Sequence, residues 1–294
     1  MCFLIPDIAT FCAVARHDLS LKWFALADSA QHAALPSAIL APGNHAECLL
    51  SGDKHSLIAR YAPHLVEMAA PSESAIEWKW VLRNAKARPC LTVIATKCAF
   101  GELLQRLRNC CEVSMPDNDL MYLAFWDPAI LGVLIGQADD RTLHIKGPVM
   151  NSEQRRWLTE KIVHWWYWDR DGELHSIPVE QIGELMQTPS IEFTERQVDD
   201  LVEASVPDHL LHYLEMNQPR LLQTILPNRR YEFVRSTLSS GRDMGLDVMS
   251  DLVNYVCLEL IYGERMRRDN IISGLLNNVR ERKLSFADAI ELMP

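Results

Sequence analysis

Residues 120–149 read LMYLAFWDPAILGVLIGQADDRTLHIKGPV, and how this stretch folds decides the architecture around it. Leu120 to Trp126 carries the composition of a strand, and Ala129 to Gln137 that of a buried helix. Trp126-Asp127-Pro128 joins the two. Proline has no N–H to lose in a first helical turn, so Pro128 suits that position. The residue before a proline is pushed to extended geometry, which makes Asp127 an N-cap. Its carboxylate then accepts backbone N–H groups and complements the helix dipole. Gly147-Pro148 closes the stretch. A carboxylate at a strand end is also where a catalytic group would stand, but capping accounts for all three residues without chemistry.

Working outward, the first two-thirds of the chain alternates short apolar runs with helical spacing. Trp23 to Ala27 is an apolar run ending at Asp28. Ala33 to Leu40 has helical spacing, Glu47 to Leu50 is a short strand, and Leu57 to Tyr61 is helical in pattern. Leu65 to Met68 follows Pro63, and Ile76 to Ala85 is a helix. Cys90 to Ala95 is the clearest buried strand because β-branched residues dominate it. Phe100 to Leu107 is a helix with Leu103, Leu104 and Leu107 on one face. Such alternation predicts an α/β lobe, a mixed sheet with flanking helices. No G-x-G-x-x-G follows a strand and no P-loop is present.

Trp165-Trp166-Tyr167-Trp168 and Glu173 to Val179 flank Asp169-Arg170-Asp171-Gly172, the pattern of a β-hairpin. The Asp-x-Asp-Gly turn lacks the further ligands of a calcium loop. On a strand the four rings point alternately to opposite faces. One face covers the core; the other needs a second layer or a partner. Packing between the two domains and a protein-binding patch are both open readings, the second because Trp and Tyr are enriched at interface hot spots.

Gln187 to Ser190 reads as a linker, and Thr194 with Gln197 forms a capping box that opens a helix. Beyond it only helical stripes follow, with Gly245 in the position of a C′ glycine, an apolar helix over Val248 to Tyr262, and Ser285 capping the last. The expected division is an α/β domain over 1–188 and an all-α domain over 189–294.

The 294 residues are 48% apolar and 23% charged, with a formal charge of −10. This is a globular composition, and its acidity argues against nucleic acid and against an anionic membrane surface. No apolar run reaches the roughly 18 to 20 residues that span a bilayer, and the N-terminal stretch has no basic region of a signal peptide. The eight cysteines lack C-x-x-C spacing, which fits reduced, mostly buried thiols in a cytoplasm. Adjacent Cys110 and Cys111 read as a buried helix end. His209 and His212, three apart on a helix, have no third ligand and read as surface residues. Asp28 with Ser29 and His32 invites a triad, but a strand-end aspartate capping the next turn is simpler. No metal and no cofactor is called for.

In order along the chain, these segments resemble the adaptor/chaperone family of bacterial type VI secretion. The resemblance rests on the strand ending in Asp28, on Pro63-His64-Leu65-Val66, and on the helix–strand–helix block over 76–107. It continues with Trp126-Asp127-Pro128, Gly147-Pro148 and the Asp-x-Asp-Gly turn. Family members often carry an arginine before the aromatic pair and another after the proline; Ala124 and Ala129 stand there in this chain. The resemblance implies a non-enzymatic protein that binds a toxic effector, through the effector's N-terminal part, and loads it onto the spike protein VgrG. The aromatic hairpin, Trp165 to Trp168, and the groove between lobes are the contact surface we expect for such a role. The alternatives are an immunity protein, whose acidity would suit a basic toxin, and an enzyme using Asp28 and Asp127.

Overall fold

The computed structural model describes residues 6–39, 41, 43–50, 61–179 and 191–294. The chain divides into two compact units, Met1–Ala204 and Ser205–Pro294.

The first unit is built on an antiparallel sheet. Its strands are β1 (Lys22–Asp28), β2 (Ala46–Cys48), β3 (Pro63–Met68), β4 (Leu91–Thr96), β7 (Ile162–Trp168) and β8 (Leu174–Ser176). Their spatial order is β2-β3-β1-β4-β7-β8. The expected α/β lobe is present, with one correction: every ladder of this sheet is antiparallel, so the sheet is not mixed.

Both faces of the sheet are buried. Along β1, Phe24 and Leu26 enter one core while Trp23, Ala25 and Ala27 enter the other. Double burial is why β1 and β4 read as unbroken apolar runs rather than alternating ones. Helices α1 (Pro6–His17), α2 (Leu35–Ile39) and α3 (Ile76–Ala87) cover one face, with Ile8, Phe11, Leu35, Trp78 and Leu82 buried against it. Helix α4 (Phe100–Asn109) covers the other with Leu103, Leu104 and Leu107. Helix α1 is an element the sequence reading did not assign, and its Phe11 is fully buried. The pattern over 57–61 lies mostly outside the described residues, as does the expected linker over 187–190.

The opening stretch departs from expectation at its start. Only Leu120–Tyr122 is a strand, β6, and it pairs with β5 (Glu112–Ser114) in a separate hairpin rather than in the main sheet. From Leu123 the chain turns: the Phe125 N–H donates to the Leu123 carbonyl and the Asp127 N–H to that of Ala124. Phe125 and Trp126 are buried as plugs in the core instead of pairing along a ladder, and so is the side chain of Leu123, whose N–H makes the last bond of the hairpin to the Cys111 carbonyl. The helix start is as read. Asp127 caps α5 (Pro128–Ile135), its Oδ1 accepting the N–H groups of Ala129 at 2.8 Å and Ile130 at 3.3 Å, with Pro128 in the first turn.

Gly147 and Pro148, joined by a cis peptide bond, finish that helix from a distance. The N–H groups of Val149 and Met150 donate to the carbonyls of Val133 and Leu134, two acceptors that a helix end leaves open. Gly147 has φ +66°, and a Cβ there would overlap the Val133 carbonyl oxygen. Only glycine fits that approach. Helix α6 (Ser152–Thr159) follows, opened by an Asn151–Gln154 capping box.

Helix α7 (Glu195–Asn217) begins with the expected capping box, Thr194 Oγ1 accepting the Gln197 N–H and Gln197 Oε1 accepting that of Thr194. It runs across the division between the units. In the second unit the described elements are helical: α8 (Pro219–Leu222), a 3-10 turn at Pro227–Arg229, α9 (Arg230–Asp243), α10 (Met249–Tyr262), α11 (Arg265–Arg268), α12 (Asn270–Arg280) and α13 (Phe286–Glu291). Leu210, Leu214, Val234, Leu238, Val256, Ile272 and Phe286 form its own core. Gly245 has φ +82° and Ser285 accepts the Asp288 N–H, as their positions in the sequence predict. No helix among the described residues is long and apolar enough to cross a membrane.

Candidate functional site

The four aromatic residues 165–168 offer no surface. Trp165, Tyr167 and Trp168 are fully buried and Trp166 is 3% exposed. Alternation along β7 sends Trp165 and Tyr167 into one core and Trp166 and Trp168 into the other. This corrects the patch reading: the second face is covered by helices of the same unit. Trp166 stacks on Trp23 at 5.8 Å with the planes 4° apart, and Phe11 meets it edge-on at 5.1 Å. The indole N–H groups have partners too, Trp165 donating to Thr92 Oγ1 at 2.8 Å and Trp168 to Asp7 Oδ2 at 3.0 Å. Burying an indole is favourable when its N–H is met in this way.

Beside this aromatic strand lies a buried polar cluster that sequence reasoning missed. His175 stands opposite Tyr167 across the β7–β8 ladder and stacks on it. Its Nε2 is 2.9 Å from Asp169 Oδ2, and its Nδ1 is 3.2 Å from Asp139 Oδ2. Tyr167 donates its hydroxyl proton to Asp140 Oδ2 at 2.9 Å, and Asp140 Oδ1 accepts both the N–H and the hydroxyl of Thr142. Gln137 donates to Asp139 at 2.6 Å. The cluster thus ties the loop after α5 to the aromatic hairpin. Gly132 permits the approach: a Cβ there would lie 2.6 Å from the Tyr167 hydroxyl. A glycine inside an apolar helix was the one available signal.

Burial alone would lower the His175 pKa, but its bonds to Asp169 and Asp139 raise it to about 9. Burial likewise opposes ionisation of Asp169. The bond from His175 and the N–H groups of Glu173 and Asp171 outweigh it and hold the carboxyl below its usual range. Asp169 therefore does two jobs. Its Oδ1 closes the Asp-x-Asp-Gly turn through Asp171 and Glu173, and its Oδ2 holds an imidazolium. One ligand atom each from Asp140, Asp169 and His175 lie within 4.8 Å of one another, a set that could hold a cation. These groups do not fit one well, because each is already engaged. A cation would have to displace the His175 proton and the Tyr167 bond.

The second cluster joins the two aspartates singled out from sequence. Asp28, at the end of β1, is 6% exposed. Burial and the charge of Asp127 push its pKa up to about 6, against the N–H of Ala30, which Oδ1 accepts. Gln31 bridges onward, donating to Asp127 Oδ2 at 3.2 Å. Ser29 Oγ is 3.3 Å from His64 Nδ1, but that nitrogen is nearer the Ala62 carbonyl at 2.9 Å. A carbonyl only accepts, so Nδ1 carries the proton and cannot serve as a base for Ser29. Among the described residues no hydrogen bond joins Asp28 to His64. Asp28 and Asp127 come together, then, but as turn and cap groups. His209 and His212 are exposed on α7. Burial pushes the Cys90, Cys110 and Cys111 thiols up to about 12, well away from a reactive thiolate.

An uncompensated carboxylate makes a prediction of unusual sign. Because its folded pKa lies above 3.8, charged Asp28 costs stability that is absent below about pH 3.8 and fully felt above about pH 6. Asp28→Asn keeps an acceptor for the Ala30 N–H and removes the charge. It should stabilise the protein near neutral pH by about 1–3 kcal/mol and flatten the dependence on pH over that window. Thermal unfolding of both proteins near pH 4 and pH 7 measures this; a variant less stable near neutrality would contradict the assignment.

Residues 23–144 match the family described as a domain of unknown function, DUF4123. The matched span contains Asp28, Trp126, Asp127 and Pro128 and ends before Gly147, Pro148, the aromatic hairpin and the helical unit. No curated protein and no solved structure matches the chain.

Proposed function

We propose that this protein is an adaptor that holds a toxic effector and helps deliver it to the type VI secretion spike protein. The observation that carries the reading is the DUF4123 match over residues 23–144, the segment on which most of the adaptor-like motifs fall in order. The clusters described above support it from the side of chemistry. Asp127 is spent on a helix cap, Ser29 has no base at His64, and Asp169 and Asp140 are taken up by His175 and Tyr167. Work of this kind needs surfaces rather than a reaction. The adaptor holds an effector segment in the cytoplasm and yields it when the spike assembles.

The reading is tested by affinity capture of the tagged full-length chain from its native host, followed by identification of what it binds. Capture of a spike protein together with a candidate toxin is the expected result. A toxin bound and neutralised without any spike protein would make this an immunity protein. Capture of neither would sink the adaptor reading.

A further inference from the structure

The hairpin of β5 and β6 leaves one edge open. Leu123 N–H donates to the Cys111 carbonyl at 2.9 Å and Met115 N–H to that of Asp119 at 2.7 Å. In an antiparallel ladder bonded and non-bonded pairs alternate. Val113 and Met121 therefore form the bonded pair between them, while Glu112/Tyr122 and Ser114/Leu120 point their main-chain groups outward. On the β5 side this outward bonding is filled at Ser114, whose N–H donates to the Ile191 carbonyl at 2.8 Å and whose carbonyl accepts the Phe193 N–H at 2.9 Å. On the β6 side, no hydrogen bond meets the outward N–H and C=O of Leu120 and Tyr122 among the described residues. Their side chains share one face and are 69% and 60% exposed. Met121, between them, packs against the core.

Proteins usually guard such an edge with lysine, proline or a bulge. Leu120–Tyr122 has none of these. It is guarded only by its brevity, and by charge of one sign. Residues 109–126 carry three carboxylates, Glu112, Asp117 and Asp119, and no lysine or arginine. Glu112 faces Tyr122 across the ladder, Asp117 and Asp119 lie between the strands, and Glu192 bridges to Ser114.

We propose that β6 accepts an added strand from a partner protein, an extended segment with apolar residues at alternate positions flanked by lysine or arginine. The main-chain groups of Leu120 and Tyr122 supply the pairing, their side chains the apolar contact, and the surrounding carboxylates the choice of a basic segment. A second copy of this chain is a poor occupant, since it brings a second set of the same carboxylates. The inference rests on the reading that the protein works by binding another protein, and it names where and what kind of segment.

The probe is a fluorescent peptide, Lys-Lys-Val-Thr-Val-Lys-Lys, titrated into the full chain at low salt. Saturable binding is expected, with slowed hydrogen exchange at the Leu120 and Tyr122 amides. Tyr122→Pro deletes an outward donor and leaves the β5 ladder intact, so it should weaken binding by about tenfold, while Tyr122→Phe binds as the parent does. A peptide N-methylated at its valines tests the same bonds without touching the protein, and should also fail to bind. The same sequence with glutamate for lysine should not bind. No saturable binding, binding that survives both the proline and the N-methyl changes, or equal binding of the glutamate peptide would overturn the proposal. So would a dimer of the chain that Tyr122→Pro abolishes. The native partner is absent from this experiment, so its outcome is separate from that of capture from the host.

Discussion

Trp166→Ala should lower the stability of the first unit by about 3–5 kcal/mol, the range for emptying a large aromatic site in a packed interior. The ring lies between Trp23, on which it stacks, and Phe11, which meets it edge-on. Phe11 in turn contacts Trp78 at 5.2 Å and Trp168 at 5.9 Å. Rings held from several elements cannot collapse into the space left, so the cavity persists and the cost stays high. Chemical denaturation followed by tryptophan fluorescence and by circular dichroism measures the loss. A residue serving mainly as a partner contact would behave differently: its alanine variant would keep its stability and lose binding alone. That outcome would contradict the placement of Trp166 in the core.

The second large effect belongs to His175. In the unfolded chain its pKa is near 6.5; in the fold it rises to about 9. The folded protein thus holds this proton more tightly than the unfolded chain does. The resulting stabilisation is fully present below about pH 6.5 and is lost as pH rises through about 9. For a side chain only 6% exposed, the shift corresponds to about 3 kcal/mol. Thermal unfolding should therefore weaken between pH 7 and pH 9.5. His175→Gln should be less stable than the parent at neutral pH and should lose most of that slope. The comparison with the variant cancels titration elsewhere in the chain. Parallel slopes for the two proteins would mean that the imidazole is neutral in the fold.

Legibility followed the range of the interactions. Asp127-Pro128 could be read as a helix start because capping is local: the carboxylate reaches N–H groups two and three residues on. The same holds for the Thr194–Gln197 box, Gly245 and Ser285. The His175 cluster was not legible, because Asp139, Asp140, Asp169 and His175 meet only when a loop after α5 folds against a hairpin. The effect of the Asp127 charge on Asp28 is likewise tertiary, since the two groups are 99 positions apart in the numbering.

The stretch over 120–149 divides along the same line. By itself the sequence determined a helix after Pro128 and its cap, since backbone geometry and short-range hydrogen bonds decide those. It also determined that the Trp165–Trp168 strand would have two apolar faces. What covers those faces was decided only in three dimensions, where α1 and α3 take one side and α4 and α5 the other. The tertiary structure also decided that Phe125 and Trp126 plug a core instead of extending a strand. That difference leaves β6 just three residues long with its outer edge open, because burial of large apolar side chains outweighs the few ladder bonds a longer strand would add.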